Sequence, residues 1–171
     1  MLRWMALLAL GAPGVAWAGD TRDALLALLN AYEEPVREAD LKALGEGVDA
    51  ELVAIASDAT IPLTRRGRAI SALQFYRTEV VRAFLETQLA PASDGLLRRK
   101  ALYSLAAFGP AGLRAIVPLL SDPDVQVRIA AANALGSVSD PAAQQALADR
   151  SAVEREPAVL DAIRRAQGGG R

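Results

Sequence analysis

A block of similar residues recurs about every thirty positions along this chain. An Arg followed seven positions later by Leu occurs at Arg37, Arg66, Arg98 and Arg128, and a fifth copy has Glu156 in place of the Arg. A fixed period of this length is typical of solenoids, in which each unit buries its apolar face only against its neighbours. The period therefore predicts a stack of helical units. It says little about what the stack binds.

Turn signals divide the chain into five predicted helix pairs. Apolar residues at helical spacing support the individual helices, as Leu25, Leu28 and Leu29 do in the first. The predicted helices span residues 21–32 and 36–44, 48–57 and 64–76, 79–89 and 96–108, 111–120 and 125–138, and 142–149 and 154–166. We therefore predict an all-α fold, an α-solenoid of about five stacked helix pairs over residues 19–167. Residues 168–171 are predicted to be a disordered tail.

The run from Leu119 to Gly136, with Asp122-Pro123-Asp124 before its second helix and Arg128 within it, resembles HEAT repeats. The closest likeness is to the short bacterial kind called HEAT-like or phycobilisome-lyase-type repeats. The resemblance covers nearly all of the chain after residue 18 and is strongest in the fourth unit. It implies an α-solenoid whose second helices line a concave face.

The same resemblance implies a ladder between adjacent units, formed by the Asp of the turn and the Arg of the second helix. Asp122 and Arg128 match these two places, and Arg37, Arg66 and Arg98 match the Arg place in other units. We expect these residues to be structural, bonding acidic side chains or carbonyls between units. The alternative is an anion-binding site built from the arginines. Glu156 at the Arg place of the fifth unit suits a terminal cap.

The first eighteen residues are typical of a secretory signal. Arg3 precedes an apolar run, Gly11 to Gly14 interrupt it, and Ala16-Trp17-Ala18 fits a cleavage site. We expect cleavage after Ala18 and a bacterial protein that is periplasmic or secreted, without stable membrane insertion. The alternatives are an uncleaved membrane anchor and a buried first helix. The apolar run is short for spanning a bilayer.

The composition excludes several classes of chemistry. The chain contains no Cys and no His, so structural zinc is very unfavourable and a Cys nucleophile or His general base is impossible. Its formal net charge of −1 gives no basis for nucleic-acid binding, which needs clustered basic charge in excess. We therefore predict no enzyme activity, no metal and no cofactor.

A candidate binding surface follows from residues that share one face of the second helices. They occupy the position after each ladder Arg and the positions four and seven beyond that. The set is Glu38, Lys42, Ser71, Gln74, Arg99, Tyr103, Ile129 and Asn133, continued by Asp161 and Arg164 in the fifth unit. Tyr and Arg are common in interface hot spots. The alternative is an ordinary solvated face.

Basic residues are also concentrated in the second and third units. Arg65, Arg66 and Arg68 precede a second run of Arg98, Arg99 and Lys100. These residues would suit acidic protein segments or anionic lipid head groups. Acidic residues nearby would cancel the patch and leave a mixed-charge surface; the candidates are Glu38, Asp40 and Glu79.

Together these features predict an exported, non-catalytic HEAT-like scaffold that binds another protein or a peptide through its concave face. One alternative is a lyase-like or chaperone-type HEAT protein that acts on a prosthetic group or an enzyme subunit. Another is a membrane-surface protein held by an uncleaved N-terminus. The sequence leaves the partner, the pathway and the oligomeric state open.

Overall fold

The structure, a computed structural model, describes residues 18–31 and 34–168. These residues form ten α-helices joined by short turns. The helices are α1 (Ala18–Asn30), α2 (Glu38–Lys42), α3 (Val48–Ser57), α4 (Leu63–Ala72), α5 (Glu79–Thr87), α6 (Gly95–Ala106), α7 (Pro110–Ile116), α8 (Val125–Gly136), α9 (Pro141–Ser151) and α10 (Pro157–Gly168). Short 3₁₀ segments, Leu73–Phe75 and Val117–Ser121, extend α4 and α7. The prediction of an all-α stack of helix pairs is confirmed.

Short polar side chains begin most of the central helices. The hydroxyl of Thr78 accepts a hydrogen bond from the backbone N–H of Val81, three positions into α5. The carboxylates of Asp94, Asp124 and Asp140 accept in the same way from the first turns of α6, α8 and α9. Each bond satisfies a backbone donor that has no partner within the helix. These turn residues therefore mark where α5, α6, α8 and α9 start.

Successive second helices pack along one another from the second pair onward. α4 lies against α6, α6 against α8, and α8 against α10, and each also packs on the first helix of its own pair. The repeated apolar positions fill these contacts, since Leu73, Leu105, Leu135 and Ile163 are fully buried. Burial of one such side chain contributes about 1.5–3 kcal/mol. We call the exposed side of α2, α4, α6, α8 and α10 the second-helix face.

The first pair departs from this plan. α2 is only five residues long, whereas the apolar pattern predicts a helix over 36–44. Arg37 before it is extended, and Gly45 and Gly47 after it have positive φ angles of 91° and 76° that end the helix. α2 does not pack along α4 as the later second helices pack on each other, and α1 contacts α3 and α4 instead.

The ends of the chain lie partly outside the described residues. The predicted signal segment falls there except for Ala18, which begins α1. At the other end α10 includes Gly168, which was predicted to belong to the disordered tail, and residues 169–171 lie outside the description. Within the described ranges, no helix is long and apolar enough to cross a membrane.

Candidate functional site

The ladder predicted from the repeat is built around Arg98 of α6. Its Nε donates to the carbonyl oxygen of Leu89 at the end of the same unit's first helix, at 3.2 Å. Its Nη2 donates to the carboxylate of Asp122, in the turn of the next unit. Arg98 is 5% exposed and Asp122 7%. The second carboxylate oxygen of Asp122 accepts from the N–H of Asp124 at 2.9 Å, so this buried pair joins two units and shapes a turn.

Arg128 occupies the equivalent place one unit later. Its Nη1 donates to the carbonyl oxygen of Asp122 at 2.8 Å, and its Nε donates to Glu154 at 3.0 Å. Asp122 and Arg128 therefore meet through a backbone carbonyl, and the carboxylate that Arg128 binds belongs to the next unit. Arg150 also donates to Glu154, which makes this carboxylate the junction of the fourth and fifth units.

Glu154 has a strongly perturbed acidity. Burial opposes its ionisation, but the N–H groups of Glu156 and Arg155 and the guanidinium groups of Arg150 and Arg128 outweigh that cost. Together they lower the pKa of Glu154 to about 2. The carboxylate is therefore charged at neutral pH, and its ion pairs with Arg128 and Arg150 hold the fourth and fifth units together.

Two of the predicted ladder residues have other surroundings. Arg66 donates from Nε to the carbonyl oxygen of Ala56 at 2.8 Å, and among the described residues it has no carboxylate at ion-pair distance. Arg37 does not join a ladder at all. Its side chain is 67% exposed and pairs with Asp40 on α2, the helix that begins directly after it.

A cation that the sequence analysis missed binds the turn acid of the second unit. Arg22 of α1 donates to Glu51 at 2.6 Å and to Asp58 at 2.9 Å. These bonds join the first and second units, and the bond to Glu51 is the main cause of the raised pKa of Arg22. Arg22 also has a Leu seven positions later, Leu29, but it lies only about half a period before Arg37, so the thirty-residue period gives no signal for it.

Tyr103 is the most prominent residue of the second-helix face. Its side chain is 46% exposed near the middle of α6. The amide of Asn133 on α8 lies 3.5 Å from its hydroxyl, within hydrogen-bonding distance. The structure thus brings two predicted binding residues together across adjacent units. Arg99 lies one turn before Tyr103 on α6 and is half-buried.

The other predicted binding residues differ in how far they are exposed and in what they contact. Ser71 and Gln74 line a groove beside α4, together with Pro35, Val36, Arg68, Ala72 and Lys100. Ile129 is half-buried and packs against the core, so only part of its side chain is available to a partner. Glu38 and Lys42 pair with each other on exposed α2 at 2.7 Å. Asp161 and Arg164 likewise pair on α10.

The described part of the chain contains no group of three or more acidic side chains placed to hold a metal ion. The larger exposed apolar side chains other than Tyr103 are Leu63, Val80 and Val153. None of these three belongs to the predicted binding set. Among the residues that the structure describes, Tyr103 is thus the only aromatic side chain in the exposed class.

Comparison with known proteins agrees with this architecture. Residues 82–166 match the family model described as HEAT repeats. No curated protein matches the chain. The matched residues begin within α5 and include α6, α8 and their ladder residues Arg98, Asp122 and Arg128. The same alternation of first and second helices runs through the described residues before 82, and together with the match over residues 82–166 it supports a HEAT-repeat protein.

Proposed function

We propose that the chain is an exported, non-catalytic scaffold that binds another protein through the second-helix face. HEAT repeats generally serve as protein-interaction scaffolds. The observation that carries the proposal is Tyr103, an exposed aromatic side chain between Arg99 on its own helix and Asn133 on the next. Tyr buries a large area at a small entropic cost, and buried aromatic anchors dominate most interfaces.

The ladder arginines support the proposal by exclusion. Arg98 and Arg128 are turned inward and bonded to Asp122 and Glu154, so they hold units together and do not present a free anion site. At the centre of the second-helix face the groups that remain are the ring of Tyr103, the amide of Asn133 and the guanidinium of Arg99. Such a mixture suits a protein partner. The absence of Cys and His from the chain further supports a role without catalysis.

The test compares Tyr103→Ala with Val80→Ala in crosslinking and affinity capture from the native envelope fraction. Val80 is an exposed apolar residue on α5, outside the second-helix face. We expect the partner to be retained by wild type and by Val80→Ala, and its affinity for Tyr103→Ala to fall by about 2 kcal/mol, or roughly thirtyfold. Full retention by a folded Tyr103→Ala variant would move the interface to another surface.

Export is proposed from the N-terminal pattern of Arg3, the apolar run and Ala16-Trp17-Ala18. Intact mass and N-terminal sequencing of the protein from its native host measure it directly. The expected mature chain begins at Gly19. A chain that keeps residues 1–18 would favour the membrane-surface alternative, and copurification of a coloured or small-molecule ligand would favour the lyase-like one.

A further inference from the structure

Positive charge is concentrated on the two neighbouring helices α4 and α6. Residues 63–75 and 95–106 contain no Asp or Glu, although the whole chain has a net charge of −1. Their basic residues are Arg65, Arg66, Arg68, Arg98, Arg99 and Lys100. Because α4 packs along α6, these charges lie near one another. A local excess of one sign produces a field that attracts oppositely charged groups.

Internal bonds neutralise only part of this charge. Arg98 pairs with Asp122. Arg65 donates to the amide oxygen of Asn30 at 2.9 Å and Arg66 to the carbonyl oxygen of Ala56, and bonds to neutral groups leave their charges in place. Neither Arg99 nor Lys100 has a carboxylate at ion-pair distance among residues 18–31 and 34–168.

The acidic residues that the sequence offered as neutralising partners are paired elsewhere. Glu38 binds Lys42 on α2 at 2.7 Å, Asp40 binds Arg37 at 2.9 Å, and Glu79 binds Arg82 on α5. In each case a basic residue three or four positions away along the chain pairs with the carboxylate. None of these three carboxylates therefore pairs with Arg99 or Lys100, and no other carboxylate of the described residues does.

Part of this positive charge lines the groove beside α4, because Lys100 is one of its lining residues. Lys100 crosses from α6 to α4 over Gly67, where an added Cβ would lie 3.6 Å from its Cγ. It lines the groove with Ser71 and Gln74, and Pro35 and Val36 line it as well. On α6, Arg99 and Lys100 lie four and three positions before Tyr103, so Tyr103 neighbours each of them on the helix surface.

We infer that this groove, with Arg99 and Tyr103 beside it, binds an acidic segment of the partner protein. The inference rests on the proposed function and specifies the chemistry of the partner. Lys100 and Arg99 would meet carboxylates, and Gln74 offers hydrogen bonds to a peptide backbone. The Ser71 hydroxyl donates to the carbonyl oxygen of Gly67 at 3.1 Å, so it would accept a hydrogen bond from a peptide N–H. Lys100 is half-buried within a groove, which suits an inserted segment better than a flat lipid surface.

Two labelled peptides test the charge requirement, one of alternating Glu and Ala and a matched one with Gln in place of Glu. We expect the Glu peptide to bind wild type, with an affinity that falls as salt is raised. Arg99→Glu with Lys100→Glu should weaken it about tenfold, since several ion pairs are reversed together. The control, Arg114→Glu with Arg155→Glu, makes the same change of net charge at exposed positions elsewhere and should retain binding.

Equal binding of the Gln peptide, or equal weakening by the control variant, would overturn the inference. A second arm uses vesicles of phosphatidylcholine with and without phosphatidylglycerol. Binding only to the phosphatidylglycerol vesicles, lost in Arg99→Glu/Lys100→Glu and without peptide binding, would assign the surface to anionic lipid and overturn the inference. A melting temperature equal to that of wild type shows that the variants are folded.

The inference and the proposed function can fail separately. A photocrosslinking amino acid in place of Gln74 identifies the partner segment that reaches the groove. An Asp- or Glu-rich segment lost in Arg99→Glu/Lys100→Glu supports both. A partner that depends on Tyr103, crosslinks through a segment without acidic residues and survives the charge reversal leaves the proposed function standing and overturns the acidic-segment inference.

Discussion

At the scale of single residues, Arg98 and Asp122 each make a further hydrogen bond besides their ion pair. The guanidinium also bonds the carbonyl oxygen of Leu89, and the carboxylate also accepts from the N–H of Asp124. Moving two charges out of water is costly, so such a pair adds little net stability, whereas removal of one partner leaves a buried charge uncompensated. The pair therefore specifies how two units fit together.

The losses of unfolding free energy caused by Asp122→Asn and by Arg98→Met should therefore not be additive. The amide can still accept from Asp124, so the turn is preserved while the charge is removed. The buried charge of Arg98 then has no carboxylate partner, and the free energy of unfolding should fall by about 3–5 kcal/mol. Addition of Arg98→Met should recover part of that loss. Urea unfolding of wild type, both single variants and the double variant measures the coupling, and strictly additive losses would contradict it.

Glu154 gives a prediction about pH. Its pKa is lowered to about 2 in the folded chain from an ordinary value of 4.5. A depressed pKa contributes stability that is present above the unfolded value and is lost as the pH falls through the folded one. Glu154→Gln should therefore cost about 2–3 kcal/mol at neutral pH, and its difference from wild type should shrink between pH 4.5 and 2. Unfolding measured across this range, with Glu46→Gln as a control for net charge, tests it; a difference that stays constant would contradict it.

At the scale of helices, two glycines set how closely neighbours approach. A Cβ on Gly112 of α7 would overlap the backbone carbonyl of Leu105 on α6, and one on Gly136 of α8 would lie 2.6 Å from the Cβ of Ala166 on α10. Backbone cannot move aside as a flexible side chain can. Gly67 on α4 differs, because an added Cβ would make only ordinary contacts at 3.6 Å with Leu96 and Lys100.

Substitution of each glycine by Ala should separate these cases. Gly112→Ala and Gly136→Ala are expected to lower the free energy of unfolding by about 1–3 kcal/mol or more through overpacking. Gly67→Ala should be neutral or stabilising by up to about 1 kcal/mol, since Ala favours helix. Thermal unfolding of the three variants checks this order. A strongly destabilised Gly67→Ala would show that α4 and α6 lie closer together than the structure has them.

The helices were predictable from the sequence, and their partners were not. Repeated Leu positions and turn residues such as Asp94 and Asp124 mark the elements locally, which is why each predicted pair is found. The carboxylate that Arg98 binds is twenty-four positions away, and only the packing of two units brings them together. The same holds for Tyr103 with Asn133, whose shared face was predictable and whose contact needed the spacing between α6 and α8.

At the scale of the whole molecule, the two ends of the stack differ. α10 buries Val159, Ala162 and Ile163 against α8 and presents Asp161 and Arg165 to solvent. The first pair has no second helix packed in this way, because α2 is short and does not pack along α4. In a solenoid, stability is close to a sum of unit and neighbour terms, so the weakly packed first pair should open most easily.

Native-state hydrogen exchange measures this gradient directly. α6 and α8 each have a second helix packed on both sides and should exchange slowest, near the free energy of global unfolding. The amides of Glu38–Lys42 should exchange fastest among the described helices, with an opening free energy close to zero. Protection of α2 equal to that of α6 would contradict the gradient. The groove has one wall at Pro35 and Val36, just before α2, so an acidic peptide bound there should slow exchange in residues 34–42 more than in α8.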